Sequence, residues 1–266
     1  MITKLKELYE YKDLLATLTI KELKVQYRNS VLGFLWSLLN PLFMMLIFSF
    51  VFAYVFKLGI KDFPVFLLCG LLPWNFFSIS LTVSAGTIVS NGNLIKKVYF
   101  PREILPLSAV FANLINFLLS LIVLFVFLVI YGYNFYAWLP LLVLAIFIET
   151  LVTIGLAMFL AGVNVYFRDI QYIITVVLLA LFYATPIIYN LERVQKSYWM
   201  TKFPWLLKLY MLNPLVSIVT LYRDALYSQQ MPSVTIFLYA IGSSVGLLIL
   251  GFYVFYRLEP AFAEEV

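Results

Sequence analysis

Long apolar runs separated by short charged segments dominate the pattern along this chain. A helix needs about 20 mainly apolar residues to cross a bilayer core of about 30 Å, and six stretches meet that length: 31–56, 63–89, 104–131, 139–163, 172–189 and 234–256. Stretch 203–222 comes close but carries Lys208, Asn213 and Pro214 near its middle. Each of these is costly or disruptive in lipid, so the pattern predicts two short interfacial segments there. Ahead of the first run, Leu8, Tyr11, Leu15 and Leu18 recur at helical spacing among lysines, as in a helix lying along a membrane surface. The expected architecture is an all-α integral membrane protein with six transmembrane helices and one domain. Its parts are an interface helix within 1–30, five spans within 31–189, extracytoplasmic segments over 190–233, a sixth span over 234–256 and a tail over 257–266.

Charge orients this arrangement. Lys and Arg number eleven on the flanks that include both termini and seven on the opposite flanks, and five of those seven sit in one long loop. The short-loop bias therefore places both termini in the cytosol. Hydrophobic residues make up 64% of the 266 positions and charged residues 12%, against about 25% charged in soluble domains. The net charge of +5 is distributed between apolar spans and forms no basic domain, so nucleic acid is not an expected partner. With no histidine and one cysteine, imidazole chemistry and internal disulfides are excluded. The N-terminus interleaves charge with apolar residues and offers no small-residue cleavage site, unlike a signal peptide.

The segment LIKKVYFPREILP, residues 94–106, gathers four charges between two apolar runs. Asn91-Gly92-Asn93 supplies a turn, Pro101 suits the first position of a new helix, and Glu103 would sit near that helix's positive end. Two readings stand. Lys96, Lys97 and Arg102 anchor the loop at lipid phosphates, or Val98, Tyr99 and Phe100 present an apolar docking surface. NVYFRDI, residues 164–170, makes a second such elbow, in which Arg168 is a cytoplasmic anchor and Asp169 caps the next span, or both join the docking surface.

With 25 Phe, 19 Tyr and 5 Trp, the chain can offer aromatic faces and polar handles to a large amphipathic cargo, although most rings pack or face lipid. Those beside helix breaks are the candidates for a path: Trp36 near Asn40-Pro41, and Trp74, Asn75, Phe76 and Phe77 after Pro73. Glu149 is a lone carboxylate in the middle of the fourth span. Three readings compete for it: a structural bond to Thr150, Thr153 or a neighbouring helix, a wall of the path, or a proton site. Gly242 and Gly246 form a G-x-x-x-G face suited to close helix packing.

Four ordered motifs carry a resemblance. YRNSVLGFLWSLLNPL (27–42), LIKKVYFPREILPL (94–107), NVYFRDI (164–170) and LNPLVSIVTLYRDAL (212–226) resemble the membrane subunit of type-2 ABC exporters for lipid-linked polysaccharides, the O-antigen, teichoic-acid and capsule permeases. The resemblance spans nearly the whole chain. It implies a homodimer working with two copies of a cytosolic ATPase in the bacterial cytoplasmic membrane, and a lipid-linked polysaccharide as cargo. Lys96, Lys97, Tyr99, Phe100, Pro101, Arg102 and Glu103, with Arg168 and Asp169, would couple to the ATPase. The interface helix would be a gate helix ending at Tyr27 and Arg28, with short gate helices between spans five and six. None of the eleven glycines precedes a lysine, so the chain has no phosphate loop of its own. It is expected to be no enzyme and to hold no cofactor, with ATP and Mg bound by the partner. An ion-coupled transporter using Glu149 is the alternative.

Overall fold

The computed structural model describes residues 7–28 and 30–265. Lys4 and Lys6 of the charge count, the remainder of 1–6 in the interface segment, Asn29 and the tail's Val266 lie outside the described residues. Those described form helices and turns with no strand.

Helix α1 (Lys12–Gln26) leads to a 3-10 turn (Gly33–Leu35), helix α2 (Trp36–Phe48) and a π-helical continuation (Ser49–Val55). Helix α3 (Phe63–Ser90) is the most buried of the candidate membrane spans. Asp62 enters it in the left-handed conformation at φ 45°, where Tyr133 donates to its carboxylate at 2.9 Å. Burial, reinforced by Asp62, holds the Tyr133 hydroxyl above its ordinary range. After the short α4 (Gly92–Lys97) come α5 (Ile104–Ile130), α6 (Leu139–Tyr166) and α7 (Ile170–Ala184). Four short helices follow: α8 (Leu191–Gln195), α9 (Tyr198–Lys202), α10 (Pro204–Met211) and α11 (Pro214–Leu226). The chain closes with α12 (Val234–Leu258) and α13 (Phe262–Glu265).

Among the described residues, five helical stretches are long and apolar enough to cross a membrane, so this is a multi-pass membrane protein. The fifth expected span departs from the rest. Its helix α7 has 15 residues, about 22 Å at 1.5 Å per residue, and residues 185–190 leave the helix. Thr185, Pro186, Ile187 and Ile188 are nevertheless buried. Non-helical backbone at such depth requires partners from the protein itself, and α11 supplies them.

Stretch 203–222 does divide into two short segments, but α11 does not stay at the interface. The arms α10 and α11 meet at a 78° bend. Asn213 at the corner accepts from its own helix at Leu215 N and donates to Thr185 Oγ1 at 3.0 Å. α10 keeps Trp205 and Leu209 exposed, as an interfacial segment does, but α11 is buried from Leu215 through Leu226, except for the half-buried Thr220, against α3, α6 and α12. Arg223, 6% exposed, explains how a cation is tolerated there. Its guanidinium lies 3.6 Å over the Phe66 ring and donates to the carbonyls of Pro186, Ile187 (2.7 Å) and Tyr189 (3.2 Å). One side chain thus satisfies the turn that α7 leaves open.

Close helix packing also falls elsewhere than at G-x-x-x-G. A Cβ at Gly242 or Gly246 would meet nothing within 4 Å, whereas one on Gly251 would lie 1.9 Å from the Gly155 carbonyl oxygen. The contact between α6 and α12 is therefore set by Gly155 and Gly251, while Gly242 and Gly246 point away from the bundle. Pro41 and Pro73 likewise do not end their helices, which run on through both residues.

Candidate functional site

A cleft of about 290 Å³ opens between α1, α2, α3 and α5. Its floor comes from α3 and α5, where Asn75, Phe76, Asn113, Asn116, Phe117 and Ser120 line one continuous surface. Asn116 lies about 18 Å along α5 and Asn75 about 18 Å along α3 from their first residues, twelve residues at about 1.5 Å each. Because the two helices enter from opposite sides, the cleft sits near half-depth. Across from the floor stand Tyr27, Trp36, Ser37 and Asn40.

Two kinds of polar group occupy this cleft. Asn116 is held: it accepts from the Tyr27 hydroxyl at 2.8 Å and donates to Gln26 Oε1 at 2.7 Å. The Tyr27 hydroxyl is pushed up by burial. Asn40 and Asn75 differ, since their side-chain amides make no hydrogen bond among the described residues. An amide left open at membrane depth requires water or a hydroxyl-bearing guest. Phe76 stacks on Phe117 at 5.3 Å, and Trp36 is 45% exposed, so apolar faces stand beside these amides.

Of the candidate path residues, the cleft takes Trp36, Asn75 and Phe76. Trp74 is 7% exposed and packs edge-on against Phe182 at 5.5 Å, and Phe77 is buried at 1%. Four consecutive helical residues are spread about 100° apart and cannot share one wall. Glu149 faces elsewhere, on α6. Its Oε2 accepts from the Tyr222 hydroxyl at 2.5 Å, and Thr150 and Thr153 bond backbone carbonyls instead. Asn113, Asn116, Phe117 and Ser120 were not singled out from the sequence, although polar residues at i, i+3 and i+7 in an otherwise apolar run were a readable signal.

The segment from 91 to 103 divides into two faces. Lys96, Lys97, Val98 and Tyr99 are exposed, Tyr99 by 84%. Phe100, Pro101 and Glu103 are buried. Arg102 donates to the Glu259 carbonyl at 2.5 Å, and Tyr256 donates to Glu103 Oε1 at 3.1 Å. Pro101 does not open the helix, which begins at Ile104, and Glu103 takes the N-cap position. In the second loop Phe167, Arg168 and Asp169 are exposed, and Asp169 occupies the N-cap of α7 without a side-chain cap. Tyr166 donates to the Leu258 carbonyl at 3.0 Å. Both loops are therefore fastened to the end of α12 at Tyr256, Leu258 and Glu259, which sequence reasoning passed over. Helix α1 slants across α5: Lys21 meets Asn91 Oδ1 at 3.5 Å, while Gln26 and Tyr27 reach Asn116. Lying flat on the surface would not bring its end to the cleft.

The family model for the ABC-2 type transporter matches residues 13–227, which contain the cleft, both loops and the α10–α11 hairpin. The chain belongs to this family. It is similar to an O-antigen export system permease protein RfbA of Myxococcus xanthus, 37% identical over 267 residues with all of both chains covered. A Klebsiella pneumoniae protein of the same description is 34% identical over 95% of this chain and 94% of its own. Polysialic acid transport protein KpsM of Escherichia coli is 26% identical over 78% of this chain and 79% of its own. The family match ends at Tyr227, so α12, with the tether at 256–259, lies beyond it.

Proposed function

We propose that this ABC-2 family member is the channel-forming permease subunit of an ATP-driven exporter, and that its cargo is a polyprenyl-linked polysaccharide. Two copies of the chain form the channel in the bacterial cytoplasmic membrane with both termini in the cytosol. Two copies of a separate ATPase, which bind ATP and Mg, dock on the side of the 91–103 loop. The observation that carries this reading is the half-depth cleft, where the open amides of Asn40 and Asn75 stand beside Trp36 and Phe76. Amides suit sugar hydroxyls and rings suit apolar sugar faces. The relatives' descriptions as O-antigen export and polysialic acid transport proteins support the same cargo class.

The exposed set of Lys96, Lys97, Tyr99, Arg168 and Asp169 forms the docking surface. The buried Phe100 and Pro101, with Arg102 and Glu103, transmit its movement, since Arg102 is bonded to Glu259 and Glu103 to Tyr256 at the end of α12. A rigid lever of this kind shifts the bundle between packings when a partner closes on it. Tyr27 and Arg28 end the gate helix at the cleft's edge. The ion-coupled alternative gains nothing here, because Glu149 is bonded to Tyr222 and does not line the cleft.

The test is export in cells or proteoliposomes containing the chain with its ATPase. Tyr99→Ala with Lys97→Glu abolishes ATP-dependent export and copurification of the ATPase, while the membrane level of the chain stays unchanged. Export by the purified chain without any ATPase overturns the reading.

A further inference from the structure

A second cavity, of about 500 Å³, lies on the opposite side of the molecule from the 91–103 loop, between α8, α11 and the start of α12. This volume is within the range of small-molecule sites, about 300–1,000 Å³. Its wall carries Asn190, Gln195, Thr220, Arg223, Asp224 and Gln230. Two of these are charged and 6% exposed, Arg223 and Asp224. Buried charges lining a hollow make it a candidate binding site.

The chemistry of the wall selects the ligand class. Arg223 already donates to three carbonyls of the protein itself, so its guanidinium is committed to the wall. Asp224 accepts from Gln230 Nε2 at 3.1 Å, and its other oxygen makes no hydrogen bond among the described residues. Adjacent in sequence, the two charges cancel, and Glu192 at the cavity is paired with Lys196 at 3.3 Å. A neutral wall favours neither a phosphate nor a metal ion. What it offers is a carboxylate acceptor and the amides of Asn190, Gln195 and Gln230, which both donate and accept. Ligands bearing many neutral hydroxyl groups match that set.

We infer that this cavity is a sugar-binding subsite on the exit side, holding a short stretch of the glycan as it leaves the half-depth cleft. The inference rests on the export reading, and it adds a second contact point for the cargo outside the cleft. Asp224 and Gln230 accept from and donate to ring hydroxyls, and Arg223 fixes the wall by clamping residues 186–189.

Photo-crosslinking in cells that make the polysaccharide tests it, with p-benzoylphenylalanine placed at Gln195 or Met231 in the cavity, at Ile79 in the cleft, and at Tyr136 on the same side but outside the cavity. The lipid-linked polysaccharide of those cells is the probe, and a glycan adduct on the chain is the readout. Adducts are expected at Gln195, Met231 and Ile79 well above Tyr136. Asp224→Asn and Gln230→Ala each lower the cavity adducts between about two- and tenfold, the equivalent of one hydrogen bond, and leave the Ile79 adduct unchanged. Gln230 is exposed, so its substitution keeps the test valid if Asp224→Asn does not fold. Adducts at Ile79 with cavity positions no higher than Tyr136 overturn the subsite and leave the export reading intact. Cavity adducts indifferent to both substitutions also overturn it, and an absence of adducts at every position overturns both.

Discussion

The half-depth cleft and the Arg223 clamp place comparable polar groups among apolar helices and treat them in opposite ways. At the clamp, donors on Arg223 meet the carbonyls of Pro186, Ile187 and Tyr189, and Asn213 meets Thr185, so the turn after α7 is closed by the protein itself. In the cleft Asn116 is held by Tyr27 and Gln26, but the Asn40 and Asn75 amides are left open. The difference separates a rigid support from a surface prepared for something that passes. Polar atoms in a membrane are thus informative chiefly through whether the protein satisfies them.

Breaking the closed region should have the largest effect. Arg223→Leu leaves the buried carbonyls of Pro186 and Ile187 and the part-buried carbonyl of Tyr189 without this donor, each buried one worth about 1–3 kcal/mol. It is expected to abolish stable expression or lower thermal stability in detergent by far more than any cleft substitution. Arg223→Lys recovers only part of that loss, because a single ammonium cannot reproduce the planar fork. Next comes Gly251→Val, which forces α6 and α12 apart at the Gly155 carbonyl. It costs about 3 kcal/mol or more, whereas Gly246→Val, open on every side, leaves the melting temperature near wild type.

A smaller effect distinguishes two uses of Glu149. Glu149→Leu leaves the buried Tyr222 hydroxyl without its acceptor and costs about 1–3 kcal/mol. Glu149→Gln keeps an acceptor and should retain both stability and export; loss of export in a stable Glu149→Gln protein would restore a proton-carrying role. The smallest change in stability belongs to the open region. Trp36→Ala and Asn75→Ala should shift stability by no more than about 0.5 kcal/mol, while export falls severalfold. Equal losses of stability and export there would erase the contrast between clamp and cleft.

Much of the frame was legible in the residues. Apolar run lengths announced α2, α3, α5, α6 and α12, and the charges at 94–106 announced the loop that is fastened to α12. The site was legible only in part. Trp36, Asn75 and Phe76 were found through breaks expected at Pro41 and Pro73, where the helices in fact run on, and Trp74 and Phe77 came with them because a linear search cannot tell neighbouring helix faces apart. The same limit hid Asn113 and Asn116, which carry weight only when α5 lies beside α3. Gly251 went unnoticed because its partner, Gly155, is 96 positions away, while the adjacent Gly242 and Gly246 matched a local pattern and packed against nothing.

By itself the amino-acid order determined that this chain enters a bilayer, roughly where it crosses and which segments stay wet, since transfer of apolar and charged groups depends on local composition. Tertiary structure alone decided that α11 turns inward, that Arg223 closes the broken span and that four asparagines gather at half-depth. Those outcomes depend on hydrogen bonds and close contacts between residues far apart in the chain, whose energies exist only once the helices are side by side.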